Sequence, residues 1–253
     1  MKHRLNTLVL AVNITLVCLF LKESPYFIHF LVAAGLLYFI VLSAGVLFMQ
    51  FNYFLPAMTR LNSDFCLLTF DDGPDPEITP EILDILKRHD IAALFFVIGY
   101  KADDHPDLVR RIQAEGHLLG NHSYDHNVFM SLFTRKRLRE DIGKAQESIE
   151  KITGKRPHYF RPPIGYTNPR YAKVLVEKSL LCVGWTLRSY DSIFKQPHKL
   201  VQRLRKRIRP GTIVLLHDNL KVSQEALEDF ILESRKNGIK FASSANIKAI
   251  LHA

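Results

Sequence analysis

Residues 66–75 read CLLTFDDGPD, a hydrophobic run that ends in two adjacent carboxylates and a Gly-Pro turn. Cys66 to Phe70 is a short β-rich run and reads as a strand. Asp71 and Asp72 stand where that strand stops. Packing explains the pair poorly, because burying unpaired carboxylates is costly. A turn that caps the next helix is the plain reading of these residues. The chemical reading puts one carboxylate on a metal ion while its neighbour handles a proton.

The same alternation recurs downstream. Strands are expected at residues 66–70, 92–98, 117–120, 158–161, 180–186, 212–217 and 239–242. Helical patterns lie between them. Thr79 reads as an N-cap with Pro80 at the first helical position, followed by an apolar stripe of Ile82, Ile85 and Leu86. Leu138, Ile142, Ala145, Ile149 and Ile152 recur at spacings of four and three before Gly154 supplies a stop. Leu200, Val201, Leu204 and Ile208 form a stripe opposite Arg203, Arg205, Lys206 and Arg207. Strands alternating with helices of this length pair in parallel, giving an α/β sheet or barrel.

Each chemically notable group follows a strand, where barrels of this kind place their catalytic residues. Residues 120–126 read GNHSYDH. Histidines four apart on a helical turn point the same way, so His122 and His126 are expected to reach one ion. With Asp72 they form a two-His, one-carboxylate set suited to Zn²⁺ or another divalent transition ion, with room for water. FRPPIG at 160–165, GWTLRSYD at 184–191 and IVLLHD at 213–218 complete the series. In that company His217 is expected as a proton donor.

Two apolar stretches open the chain, at residues 5–21 and 26–49, separated by Lys22, Glu23, Ser24 and Pro25. Each approaches or exceeds the length needed to cross the hydrocarbon core, and no small-x-small cleavage site follows the first. If both cross, the two ends share one side. Lys2, Arg4 and Arg60 then place that side in the cytoplasm, since the connecting loop offers only Lys22 against Glu23. If only the second crosses, the same rule puts the domain outside.

The 253 residues, 47% hydrophobic and 23% charged, allow one catalytic domain and an appendage. The formal charge of +9 leaves 30 basic and 24 acidic residues beyond residue 60. That excess suits anionic membrane surfaces, phosphate-bearing substrates or nucleic acid, and by itself selects none of them. Nucleic acid is disfavoured, because the basic helix faces lack interleaved aromatics. Cys18, Cys66 and Cys182 are odd in number, lack CxxC spacing and sit in apolar segments, so buried free thiols are expected rather than disulfides.

The ordered set TFDDGP, HSxxH, RPPxG, a late Asp and LLH resembles the polysaccharide deacetylases, carbohydrate esterase family four or the NodB-homology group, over residues 64–253. The resemblance implies a distorted seven-stranded (β/α) barrel that hydrolyses N-acetyl groups from amino sugars. Residues 1–60 would be a membrane anchor of two transmembrane helices and residues 61–253 the catalytic domain. By motif position, Asp71 would be the general base, and Asp72, His122 and His126 the ligands of a divalent metal ion, Zn²⁺ foremost with Co²⁺, Ni²⁺ or Mn²⁺ as alternatives. Arg161 would orient Asp71, and Asp191 would steady Arg161. His217 would be the general acid, the Ile164 backbone N–H an oxyanion donor, and Leu215 the wall against the acyl methyl.

Two departures from the family pattern concern substrate. Ile164 stands where members commonly carry Tyr, and Arg188 and Ser192 stand where many carry Asp and Trp. Arg188 is read either as a phosphate ligand or as half of a surface ion pair. Trp185 is read as core, with a sugar platform as the alternative. The implied partners are an N-acylated amino-sugar glycan or a lipid-linked saccharide, and the lipid bilayer. A metal-dependent amidohydrolase acting on a small non-sugar amide is the first rival. An inactive glycan-binding module is the second, and it would lack a base or ligand; every such position here is filled.

Overall fold

The computed structural model describes residues 2–252. Nine strands form one sheet: β1 (Ala57–Met58), β2 (Phe65–Asp71), β3 (Ala93–Val97), β4 (Leu118–Asn121), β5 (Tyr159–Phe160), β6 (Leu181–Val183), β7 (Leu187–Arg188), β8 (Ile213–His217) and β9 (Lys240–Phe241). Their order is β1-β6-β5-β4-β3-β2-β8-β7, with β9 beside the start of β2, and every ladder is parallel. The sheet curls into the expected distorted barrel. Because all strands run one way, their C-terminal ends gather on one face.

Helices α3 (Ile78–Arg88), α4 (Gly99–Asp104), α5 (Pro106–Ala114), α6 (Arg135–Thr153), α7 (Pro169–Glu177), α8 (Pro197–Arg207), α9 (Lys221–Lys236) and α10 (Ile247–His252) follow the strands. Strand parity decides what each residue faces. Leu68 and Phe70 of β2, Phe95 of β3 and Val214 and Leu216 of β8 pack outward with Ile82, Leu86, Leu204 and Phe230 from the helices. Leu67, Leu94, Phe96 and Ile213 fill the barrel interior instead. Asp71 shares the parity of Leu67, and His217 that of Ile213 and Leu215. A slip of one residue would turn these groups away from the site.

The structure revises several local expectations. The strand expected at 180–186 ends early: β6 stops at Val183, the Gly184 N–H goes to the Met58 carbonyl at 2.8 Å, and β7 begins only at Leu187. Thr79 is not the N-cap of α3. Its hydroxyl accepts from the Asp75 N–H and bonds Asp218 Oδ2 at 2.8 Å, while the Asp75 carboxylate receives the N–H groups of Glu77 and Ile78. Gly154, at φ 68°, does end α6. Cys66 and Cys182 are buried free thiols; Cys18 is also free but exposed on an N-terminal helix.

Two helices precede the barrel, α1 (Lys2–Phe20) and α2 (Phe27–Leu47), each long and apolar enough to cross a membrane. None of their residues is buried except Gly45, near the end of α2. Both outer ends meet the same segment. Lys2 Nζ donates to the Phe51 carbonyl at 2.7 Å, and Asn6 Nδ2 donates to the Tyr53 hydroxyl at 2.7 Å. Residues before position 60 share structure with those after it: Met49 and Leu55 join the core against Cys182 and Trp185, and β1 pairs with β6. A two-residue strand carries too little pattern to be seen beforehand.

Candidate active site

Asp71 ends β2 with its carboxylate inside the barrel, 4% exposed. Arg161, directly after β5, is fully buried, and its Nη1 donates to Asp71 Oδ1 at 2.7 Å. The same nitrogen donates to Thr69 Oγ1 at 2.8 Å, while Nε and Nη2 donate to the carbonyls of Val183 and Gly184 at 3.0 and 2.7 Å. Its guanidinium plane lies 4.2 Å from the centroid of Phe96. A buried cation so fully bonded is rigid, and it holds Asp71 in one orientation. Asp191, expected beside Arg161, is not among its bonding partners in the described residues; Thr69 and two carbonyls hold the guanidinium.

Asp72 turns out of the strand with φ 72°. Its Oδ1 lies 3.3 Å from His122 Nε2 and 3.1 Å from His126 Nε2. Two ligands about 2.1 Å from one ion at a tetrahedral angle stand about 3.4 Å apart, so these donor atoms fit a divalent ion. Among the described residues this trio is the one group of three His, Cys or carboxylate side chains so gathered. Burial opposes charge on Asp72, but the bonds to both histidines outweigh it and hold the carboxyl far below its usual range. His122 Nδ1 bonds the Arg161 carbonyl at 2.8 Å, which fixes the tautomer and leaves Nε2 for an ion.

The histidines do not share a helical turn as expected. Residues 122–129 are a loop, with Ser123 at φ 69° and His126 at φ 48°. Side chains take over the bonding that a helix would supply. Asn121 Oδ1 accepts from the Ser123 N–H at 2.8 Å, and Ser123 Oγ accepts from the His126 N–H at 3.0 Å. From α6, Asp141 receives the N–H groups of Tyr124 and Asp125 at 2.9 and 3.2 Å. Lys101 of α4 donates to the Asp72 carbonyl at 2.7 Å, and the N–H groups of Gly99 and Tyr100 in the same helix donate to the Ser123 and Tyr124 carbonyls, so α4 joins the two loops.

His217 ends β8. Its Nδ1 lies 2.7 Å from Asp191 Oδ1, and its backbone N–H donates to Asp191 Oδ2 at 2.8 Å. Ser223 of α9, which the sequence reading passed over, donates to the same Oδ2 at 2.6 Å. Burial disfavours the imidazolium, yet the bond and charge of Asp191, with Asp71 and Asp72 nearby, push the His217 pKa up to about 9. A proton donor must carry its proton, so its activity should persist below that value and fall as pH rises through it. Asp191→Asn removes the raising charge. The alkaline limb of kcat/KM is therefore expected to move down by about one pH unit or more, and an unmoved limb would reject the pairing.

These groups line a cavity of about 160 Å³ together with Ile164, Gly165, Trp185, Arg188 and Leu215. Pro162 and Pro163 lack N–H groups, so the first backbone donor after Arg161 is that of Ile164. Ile164 sits at φ 63°, a rare conformation for a β-branched residue and one found at functional sites. Gly165, at φ 86°, meets Trp185 so closely that a Cβ would lie 2.3 Å from its ring. Trp185 is both core and pocket wall, 8% exposed. Arg188 stacks 5.8 Å from the Trp185 centroid and 5.3 Å from that of Tyr190, with no carboxylate partner among the described residues. A larger cavity of about 500 Å³ lies where β4 and β5 begin, lined by His117, Tyr159 and Lys248, away from this chemistry.

A family profile described as polysaccharide deacetylase matches residues 59–182. A peptidoglycan-N-acetylglucosamine deacetylase of Bacillus cereus is 33% identical over 70% of this chain, which spans 65% of that relative's length. The peptidoglycan-N-acetylmuramic acid deacetylase PdaA of Bacillus subtilis is 35% identical over 70% of this chain and 68% of its own. Among solved structures, a family four carbohydrate esterase pseudoenzyme from Bacillus anthracis superposes with a TM-score of 0.71 at 29% identity, covering 78% of this chain and 69% of that one.

Proposed function

The chain belongs to the polysaccharide deacetylase family, and from that premise we propose that it is a metal-dependent hydrolase removing an N-acyl group, acetyl in the first instance, from an amino sugar. One structural neighbour is a pseudoenzyme, so the fold alone carries no activity. The observation that supports activity is the convergence in one cavity of a ligand trio, a fixed carboxylate and a carboxylate-paired histidine. The inactive-module reading needs one of these to be missing or misdirected.

The residues divide the work by position. Asp72, His122 and His126 would hold the ion, with Zn²⁺ the best match to two imidazoles and a carboxylate. When bound, a divalent ion supplies Lewis acidity that polarises an amide carbonyl and acidifies water. Asp71 is no ligand in this scheme; held by Arg161, it accepts the proton of the attacking water. The Ile164 N–H, set by its unusual backbone, donates to the developing oxyanion. His217, kept protonated by Asp191, delivers a proton to the departing amine. Leu215 and Trp185 bound a space suited to a small acyl group, and Arg188 stands free at its edge for an anionic substituent.

Purified protein loaded with Zn²⁺ is expected to release acetate and free amine in equal amounts from N-acetylglucosamine oligomers. Turnover of simple acetamides alone would favour the small-amide rival. The joint docking of both outer helix ends on residues 51–54 supports a membrane hairpin with both ends on one side, and the flanking bases favour the cytoplasm. A cytoplasmic reporter fused after Ala253 should then be active, and alkaline phosphatase fused there silent.

A further inference from the structure

The anchor and the catalytic cleft meet. The last turn of α2 offers the carbonyls of Gly45 and Val46, which a helix end leaves without intrahelical partners. Thr167, two residues past Gly165, takes both: its Oγ1 donates to Gly45 at 3.2 Å and its N–H to Val46 at 3.1 Å. Gln50 Nε2 donates to the Trp185 carbonyl at 3.3 Å. Ile164, Gly165 and Trp185 line the cleft. The anchor therefore leaves the domain on the face where the cleft opens.

That face also carries six of the thirteen large apolar side chains exposed outside α1 and α2 among the described residues. Val128, Phe129 and Leu132 follow β4, Ile164 follows β5, and Tyr190 and Ile193 follow β7, with Leu132, Ile193 and Phe129 at 72%, 68% and 66% exposure. Scattered apolar exposure needs no explanation, but a collar around one opening does. Cations stand among these residues. Arg137 lies over Phe133, Arg170 donates to the Leu132 and Phe133 carbonyls, and neither has a carboxylate partner among the described residues. Aromatic and aliphatic side chains beside unpaired arginines suit the headgroup layer of an anionic bilayer.

We propose that the rim of the cleft is seated in the headgroup layer of the membrane that holds the anchor, and that the site takes its N-acylated amino sugar from a phosphate-bearing lipid carrier. The second half rests on the deacylase reading. A seated rim leaves little passage for a long polymer but meets a sugar held at the surface by its lipid, whose phosphate falls to Arg188.

Tryptophan placed at single positions in the full chain tests the seating without requiring activity. The protein is reconstituted in phosphatidylcholine–phosphatidylglycerol vesicles with or without brominated acyl chains, and the native Trp185 signal is subtracted. Phe129→Trp and Leu132→Trp are expected to lose at least half their emission to bromine, whereas Val176→Trp, exposed on α7 away from the rim, keeps its own. Rim tryptophans that bromine spares overturn the seating, whether iodide reaches them or a second copy shields them. For the substrate, wild-type protein should deacetylate polyprenyl-phosphate-linked N-acetylglucosamine in such vesicles at least tenfold faster than free oligomers. Turnover of oligomers but not of the lipid-linked sugar overturns the inference and leaves the deacylase reading standing. Turnover of neither removes the deacylase reading and the carrier with it, while bromine quenching still judges the seating.

Discussion

Asp71→Asn is expected to lower kcat by about 10²- to 10⁴-fold, the usual worth of a positioned general base, without loss of bound metal. The amide oxygen still accepts from Arg161, whose Nη1 lies 2.7 Å from the carboxylate in the wild type. It cannot take a proton from water. Metal content should hold because Asp71 is farther from the histidines than Asp72 is: its Oδ2 stands 3.9 Å from His122 Nε2, against 3.3 Å for Asp72 Oδ1. Removing the acceptor is a different perturbation. Asp71→Leu leaves a buried guanidinium without its counter-charge, and a loss of roughly 3–5 kcal/mol in stability is expected from thermal unfolding. Near-normal turnover by Asp71→Asn would contradict the role given to this carboxylate.

Asp72→Ala, His122→Ala and His126→Ala should each empty the metal site and abolish activity. Three protein ligands are few, and two cannot compete well with water. Loss of a mere outer partner already costs about 10- to 100-fold in affinity, so ligand loss should reach at least that. Metal analysis after dialysis reads the result. His217→Ala, by contrast, should keep its metal and lose activity, which separates a proton donor from a ligand. Retention of full occupancy by all three ligand variants would remove the assignment.

The parts legible in the sequence were those set by local pattern. The run from Cys66 to Phe70 reads as a short strand, its apolar residues face both layers, and the turn residues after it mark where the carboxylates emerge. That each motif closes a strand was enough to foresee one site at one face. What escaped notice depends on partners distant in the chain. The ligand loop from His122 to His126 is held by Asp141 and by left-handed backbone at Ser123 and His126, and spacing alone made it look helical. Asp191 is expected to meet Arg161, and only the packing of β7 against β8 brings it to His217 instead. Ser223 and Lys101 lie in ordinary helices and carry no motif, yet they fix Asp191 and the Asp72 loop.

The strand β1 and the docking of α2 show the same limit from another side. Ala57 and Met58 pair with Cys182 and Val183, so the anchor's sequel is stitched into the far half of the barrel. No periodicity in two residues announces that. Trp185 and the loop after Ile164 then rest against the end of α2 and the segment that follows it.

The central claim is that this site removes an acyl group from an amino sugar, and the most direct measurement is mass spectrometry of the glycans and glycolipids of cells carrying the wild-type protein or Asp71→Asn. One saccharide species is expected to gain an acetyl mass in the Asp71→Asn cells and to return to its lighter form when the wild type is restored. Identical saccharide profiles in the two strains, with both proteins present at equal level in the membrane, would contradict it.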